Sequence, residues 1–265
     1  MNYKDTCLKV TEIAKSAGKI IKSAIDKNYK IKIDKKGKHN FVTEIDKKSE
    51  KFIIDNLLSI LPDSGFIAEE NTIEFQEKNY LWIIDPLDGT TNFIHGAPPV
   101  AISIALMENK ELVLGVIYEI FMDECFYAWK NSGAFLNGNP IKVSQTQSLN
   151  DFLIATGFPY QNFDRITPFM RSLEFFFNNT HGVRRLGSAA TDLAYVACGR
   201  YDAFYEYNLS PWDVAAGALI VKEAGGMVSD FKGNDNFLFG KEIIATNNKG
   251  FKEFLSAVAK FMNNQ

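Results

Sequence analysis

Trp82-Ile83-Ile84-Asp85-Pro86-Leu87-Asp88-Gly89-Thr90-Thr91-Asn92-Phe93 runs an apolar segment straight into two acids, a turn and two hydroxyls. Tyr80 to Ile84 is a short run of β-branched and aromatic side chains, which suits a strand covered on both faces. Pro86 has no N–H and disfavours helix at Asp85, so the strand is expected to end there. Gly89 permits a tight or positive-φ turn, and concave sets of backbone N–H groups at such turns bind anions. Asp85 and Asp88, three apart around the turn, can point at one place. Carboxylates ~4 Å apart repel by roughly 4 kcal/mol at a surface-like effective dielectric, so a converging pair needs a cation or a shared proton. Oxygen-only ligands favour Mg2+, Mn2+ or Ca2+ over zinc. On this string alone, a surface Asp-Pro turn accounts for the residues as well as a metal and phosphate site does.

The rest of the chain bounds the choice. Its 265 residues, 46% hydrophobic and 23% charged, are those of an ordinary globular protein with ample length to bury a core. A net charge of -3 gives the whole chain no bias towards nucleic acid or membranes. Cys7, Cys125 and Cys198 are far apart and lack metal spacing, which fits reduced thiols in a cytoplasm. No apolar run approaches the 18 or so residues of a membrane span, and the opening Met-Asn-Tyr-Lys-Asp lacks a signal-peptide core. A cytoplasmic location is therefore expected. His39, His95 and His181 are too few and too scattered for a histidine metal cluster.

Ile13, Ala17, Ile20, Ile21, Ala24 and Ile25 recur at helical spacing, predicting an amphipathic helix over about 4–26. Tyr29, Ile31 and Ile33 alternate with polar residues and lead to Lys36-Gly37, which reads as a strand and hairpin. A second helix is expected from Asp46 to Leu61, then a short strand at Gly65–Ala68. Three β-rich runs, 100–106, 112–118 and 124–129, read as antiparallel sheet, and the turn-dense segment 133–140 as a lobe boundary. Beyond it, strands at 152–156, 182–186, 201–205, 227–229 and 242–246 alternate with helices near 168–177, 189–198 and 212–224 and a terminal helix. Mixed sheets with helices between them make an α+β layered fold, read as one domain over 1–265 with lobes of about 1–143 and 144–265.

Other acids have structural and chemical readings side by side. Glu69 and Glu70 end a short strand, where α/β sheets place ligand groups, yet such pairs also make solvated turns. Asp213 opens the apolar helix that follows Trp212, where an acid serves as a cap or dipole partner or holds a cation. Gly187-Ser188-Ala189-Ala190 offers a hydroxyl at a helix start, for an anion, a sugar hydroxyl or a plain cap. Asp46, in Val42-Thr-Glu-Ile-Asp46, reads as an N-cap.

Asp85-Pro-Leu-Asp-Gly-Thr-Thr-Asn-Phe93, the upstream Glu69-Glu70, Gly133-Ala-Phe, Gly187-Ser-Ala-Ala190 and Trp212-Asp-Val-Ala-Ala-Gly217 with Glu-Ala-Gly-Gly226 together resemble the inositol monophosphatase family over nearly the whole chain. The resemblance implies a layered αβαβα sandwich, shared with fructose-1,6-bisphosphatase, and a Mg2+-dependent phosphomonoesterase with two or three ions per site. By motif, Glu69, Asp85 and the Leu87 carbonyl hold one metal, and Asp85, Asp88 and Asp213 a second; Glu69 reaches towards a third, weaker ion. Thr90 with Asp46, and Glu69, orient the attacking water. Gly89 and Thr90 N–H groups receive the phosphate, while Asp88, Asp213, Glu206 and the turn Gly187, Ser188 and Ala189 meet the substrate. Lys35 falls where the family carries a mobile loop. The Gly89–Phe93 form followed by Ile94-His95-Gly96 looks most like the inositol branch, implying myo-inositol 1-phosphate or a similar small polyol phosphate. Fructose bisphosphate, histidinol phosphate and nucleotide 3'-phosphate are the alternatives. Lithium sensitivity and a homodimer are implied as well. Some bacterial members also bind the transcription machinery, and seven lysines between Lys22 and Lys38 keep contact with nucleic acid or RNA polymerase open.

Overall fold

The computed structural model describes residues 1–26, 33–35, 41–159 and 163–263. The first helix, α1 (Tyr3–Asp26), buries Ile13, Ala17, Ile21 and Ala24 along one stripe. A short antiparallel pair, β1 (Ile33–Lys35) and β2 (Phe41–Thr43), comes next. The expected strand start at Tyr29 and Ile31, and the Lys36-Gly37 turn, lie outside the described residues. Helix α2 (Glu44–Ile60) packs against α1. It begins two residues before Asp46, so Asp46 sits in the first turn and is not its N-cap.

Seven strands form the first sheet: β3 (Gly65–Ala68), β4 (Tyr80–Asp88), β5 (Ala101–Glu108), β6 (Glu111–Glu119), β7 (Glu124–Trp129), β8 (Ala134–Leu136) and β9 (Asn139–Ile141), neighbouring one another in that order. Only β3 and β4 are parallel. The turn-dense segment 133–140, expected as a lobe boundary, holds most of the β8/β9 hairpin, because the turn-forming Asn137 and Gly138 leave three-residue arms that pair. Between β4 and β5 lies α3 (Thr90–His95), a helix too short to show a periodic pattern in the sequence.

The second sheet is mixed. β10 (Leu153–Thr156) pairs in parallel with β11 (Gly182–Arg184) and β12 (Ala203–Tyr207); β14 (Glu242–Thr246) runs antiparallel to β12 and to β13 (Met227–Ser229). Helices α5 (Ala189–Ala197) and α6 (Pro211–Glu223) fill the space between the two sheets. Every residue of α6 from Val214 to Val221 is buried, as a helix apolar on all sides requires. Helices α4 (Ile166–Asn179) and α7 (Phe251–Met262) cover the outer face of the second sheet, and α1 with α2 cover the first. The result is an αβαβα sandwich. One apolar core, including Ile83, Ile117, Leu193, Ala216, Phe204 and Ile243, joins both sheets through α5 and α6.

Polar ties fix α6 at each end. Ser103 on β5 donates to the Trp212 carbonyl at 3.1 Å. At the other end the Glu223 carboxylate accepts the N–H groups of Asn131, Ser132 and Gly133 at 2.8, 2.9 and 2.9 Å. Replacing Glu223→Ala deprives this turn of its acceptor and should destabilise the protein by about 1.5–3 kcal/mol, read as a lowered urea midpoint with unchanged slope.

Candidate active site

The β4–β5 register holds to Asp85 opposite Ser103 and resumes at Asp88 opposite Ala101, so two residues of β4, Pro86 and Leu87, stand against one of β5, Ile102. The strand does not end at Asp85 as expected: it bulges and continues to Asp88. Pro86 falls inside the bulge, where a missing N–H costs no ladder bond. There the Leu87 N–H donates to Asp85 Oδ1 at 2.9 Å, and the Pro86 carbonyl accepts from Ser49 Oγ at 3.1 Å. Gly89 follows at φ +93°, and a Cβ there would lie 2.8 Å from the Pro99 carbonyl. Only glycine meets both demands. The chain then enters α3, where Thr90 Oγ1 lies 3.2 Å from the Leu87 carbonyl and 3.4 Å from Asp46 Oδ1. Asn92 Nδ2 donates to the carbonyls of Pro99 and Leu186, both at 2.9 Å, tying α3 to the turn before α5.

Asp88 reaches the same turn. Its Oδ2 accepts from Ser188 Oγ and the Ala190 N–H, both at 2.7 Å. Ser188 also caps α5, accepting the Thr191 N–H at 3.2 Å, so one hydroxyl serves both the helix start and Asp88. On α6, Asp213 Oδ2 accepts the Ser210 N–H at 2.7 Å. Ser210 is the N-cap and Asp213 stands three residues on, with Pro211 at the first helical position.

Asp85, Leu87, Asp88, Gly89, Thr90, Ser188 and Asp213 line one cavity of about 480 Å³, together with Glu69, Gly187, Ala189 and Glu206; Asp46 is not on its wall and meets it through Thr90. Glu206 lies within β12, and a Cβ on Gly157 would fall 2.0–2.2 Å from its carboxylate, so the lack of a side chain at Gly157 makes the place Glu206 occupies. Beside it, Arg185 lies over the Phe158 ring, 5.4 Å from its centroid. Asp192, 1% exposed and on the cavity wall, has an Oδ1 with no hydrogen-bond partner among the described residues. Gly157 and Arg185 carry no local signal because each gains its place from a residue distant in the chain, Glu206 and Phe158, and Asp192 reads locally as an ordinary acid in the first turn of α5. The backbone of Lys35 lies in β1, but its side chain is outside the described residues, as are Lys27, Lys30, Lys32, Lys36 and Lys38.

Electrostatics distinguish the two ends of the cavity. Burial pushes the Asp85 carboxyl up, and repulsion from Glu69, Asp88 and Asp213 adds to it. Burial raises Asp213 too, with Asp88 adding to the rise and the Ser210 N–H opposing it. Asp88 is raised by burial to about 6, held back by hydrogen bonds from Ser188 and the α5 backbone. At the other end burial lifts Glu206 to about 8 against the attraction of Arg185, and lifts Asp192 against the same cation.

Among the described residues, no group of three or more His, Cys, Asp or Glu side chains stands ready-made to hold a metal ion. The donor chemistry nevertheless fits hard divalent cations: the donors are all oxygens, and four of them are mutually repelling carboxylates on one cavity wall. Asp85 and Asp213 each spend one oxygen on a backbone N–H and keep the other.

The family model described as "Inositol monophosphatase family" matches residues 4–263. The chain belongs to that family. It is 42% identical over 250 residues to the Nus factor SuhB of Pseudomonas aeruginosa, covering 92% of each chain. Its identity to the inositol-1-monophosphatase of Mesorhizobium japonicum is 39% over 252 residues, covering 95% of each. Among solved structures, the extragenic suppressor protein suhB from Bartonella henselae superposes with a TM-score of 0.92 at 39% identity, over 97% of this chain and 99% of that one. Membership makes the layered sandwich the family fold.

The raised carboxyls have a thermodynamic consequence. A carboxyl at about 8 in the folded protein and near 4.5 when unfolded keeps its proton longer in the fold, so the metal-free protein loses stability as pH rises between those values. Melting temperature without divalent cations should therefore fall from pH 5 to about 8. Glu206→Gln should flatten the fall, as checked by calorimetry across that range; an equal slope in the variant would remove Glu206 as a source.

Proposed function

We propose that this chain is a Mg2+-dependent phosphomonoesterase acting on myo-inositol 1-phosphate or a similar small polyol phosphate. One observation carries the reading: Glu69, Asp85, Asp88 and Asp213, drawn from three separate segments, line a single cavity with Gly89, Thr90 and the α5 start. In this reading Glu69, Asp85, the Leu87 carbonyl, Asp88 and Asp213 hold two or three Mg2+ ions. Such ions neutralise phosphate oxygens, lower the pKa of an attacking water and stabilise the departing alkoxide. That is the scale of help needed, since phosphate monoester hydrolysis is accelerated by enzymes up to ~10^21-fold.

The protein's own groups supply orientation. The Thr90 hydroxyl, set between Asp46 and the Leu87 carbonyl, gives its proton to one of these acceptors and turns a lone pair to the attacking water. Glu69 takes part in holding that water in line with the ester bond. Gly89 and Thr90 bring backbone N–H groups to the phosphate. Glu206, Asp213 and the Gly187–Ala189 turn face the alcohol, where a site that hydrogen-bonds hydroxyls rejects analogues lacking them.

Asp88→Asn and Asp213→Asn should each remove most Mg2+-dependent hydrolysis, by 10²-fold or more in about the range seen for loss of one electrostatic group, with circular dichroism unchanged. A panel of inositol, fructose, histidinol and nucleotide phosphates, with Mg2+ varied and lithium added, tests the substrate assignment; near wild-type turnover in either variant would sink the shared-metal assignment. The panel should show a preference for the polyol monoester and inhibition by lithium.

The likeness to a protein named Nus factor SuhB supports a second reading, contact with the transcription machinery. A salt-dependent shift on RNA, or co-purification with RNA polymerase, would favour it. A cytoplasmic homodimer of two-lobed chains completes the proposal, checked by light scattering.

A further inference from the structure

The face of α2 nearest the cavity carries three polar residues, Asp46, Ser49 and Glu50, at helical spacings of three and four. All three are fully buried. Each binds a different segment of the candidate site. Asp46 accepts from Thr90 Oγ1; Ser49 Oγ donates to the carbonyl of Pro86, inside the bulge between Asp85 and Asp88. Glu50 spends both carboxylate oxygens on backbone: Oε2 accepts the Glu70 N–H and Oε1 the Thr72 N–H, each at 2.8 Å. These two bonds close the loop directly after Glu69.

A buried carboxylate is costly unless its oxygens are paired. Glu50 meets that cost with two charge-assisted bonds to one loop, where an apolar residue would have packed against the α1–α2 core. We propose that α2 sets the spacing of the acidic site, with Glu50 and Ser49 as positioning residues: Glu50 fixes the loop that carries Glu69, and Ser49 fixes the bulge that carries Asp85 and Asp88. A helix is stiff, so anchors on its adjacent residues Ser49 and Glu50 hold the two segments at a set separation. The inference rests on the cavity being a divalent-cation site, and it adds no ligand to that site.

The test is equilibrium binding of Mg2+ by calorimetry, with terbium luminescence as a second probe, on the full chain. Removing an outer-shell partner of metal ligands typically costs about 10–100-fold in metal affinity. Glu50→Gln keeps one acceptor and sets an NH2 against the other N–H, so its Mg2+ midpoint should rise by about that factor. The upward shift in melting temperature that Mg2+ gives should shrink with it. Asp55→Asn, the same charge change on an exposed position of α2, should leave the midpoint unchanged. Should Glu50→Gln fail to fold, Ser49→Ala serves, since it deletes one bond and leaves no charge behind; a several-fold higher midpoint is expected, roughly the worth of one neutral hydrogen bond. A lower melting temperature with an unchanged Mg2+ midpoint in the folded variants would overturn the proposal and leave α2 a scaffold. Wild-type protein that binds no Mg2+ would instead overturn the functional reading on which the proposal rests.

Discussion

Burying α6 on every side is the constraint from which the rest follows. A helix apolar all round, held between two sheets, can neither slide nor roll without opening packing on both faces. Its start is further tied by the Ser103 bond to the Trp212 carbonyl. Asp213 is thereby brought beside an acidic bulge more than a hundred residues earlier in the chain. The site is a by-product of the core: where two layered sheets meet over α5 and α6, the end of β4, the start of α5 and the start of α6 share one cavity.

That seam concentrates like charge on buried side chains. Burial raises Asp85, Asp88 and Asp213, and their mutual repulsion works the same way. The protein answers with directed N–H groups, from Leu87 to Asp85, from Ala190 to Asp88 and from Ser210 to Asp213. These bonds favour the charged forms. They are fewer than full neutralisation needs, and the remaining repulsion is a standing attraction for a divalent cation. At the far end Arg185 plays the compensating part for Glu206 and Asp192.

Local and distant demands often fall on one residue. Ser188 caps α5 and binds Asp88; Gly89 satisfies a left-handed turn and a close approach to Pro99. In such cases a structural reading and a functional reading of the sequence are not rivals, because a cap or turn holds the side chain rigid for its second partner.

The sequence by itself determined the elements and the chemistry. Period-3.6 and period-2 patterns marked nearly every helix and strand, since burial on one face or both is written locally. The run from Asp85 to Phe93 declared an acidic turn, and its likeness to a known family added Glu69 and Asp213. Tertiary structure decided what local rules cannot. Pro86 reads as a strand end, yet pairing with β5 carries β4 past it as a bulge. Asn137-Gly138 reads as a turn at a boundary, yet β7 offers an edge on which β8 pairs, and β9 pairs with β8 in turn. Glu50, Gly157, Arg185 and Asp192 carry no local signal at all. Their roles arise from partners elsewhere in the chain, Glu70 for Glu50, Glu206 for Gly157, Phe158 for Arg185 and Asp88 for Asp192, and only the fold brings those partners close.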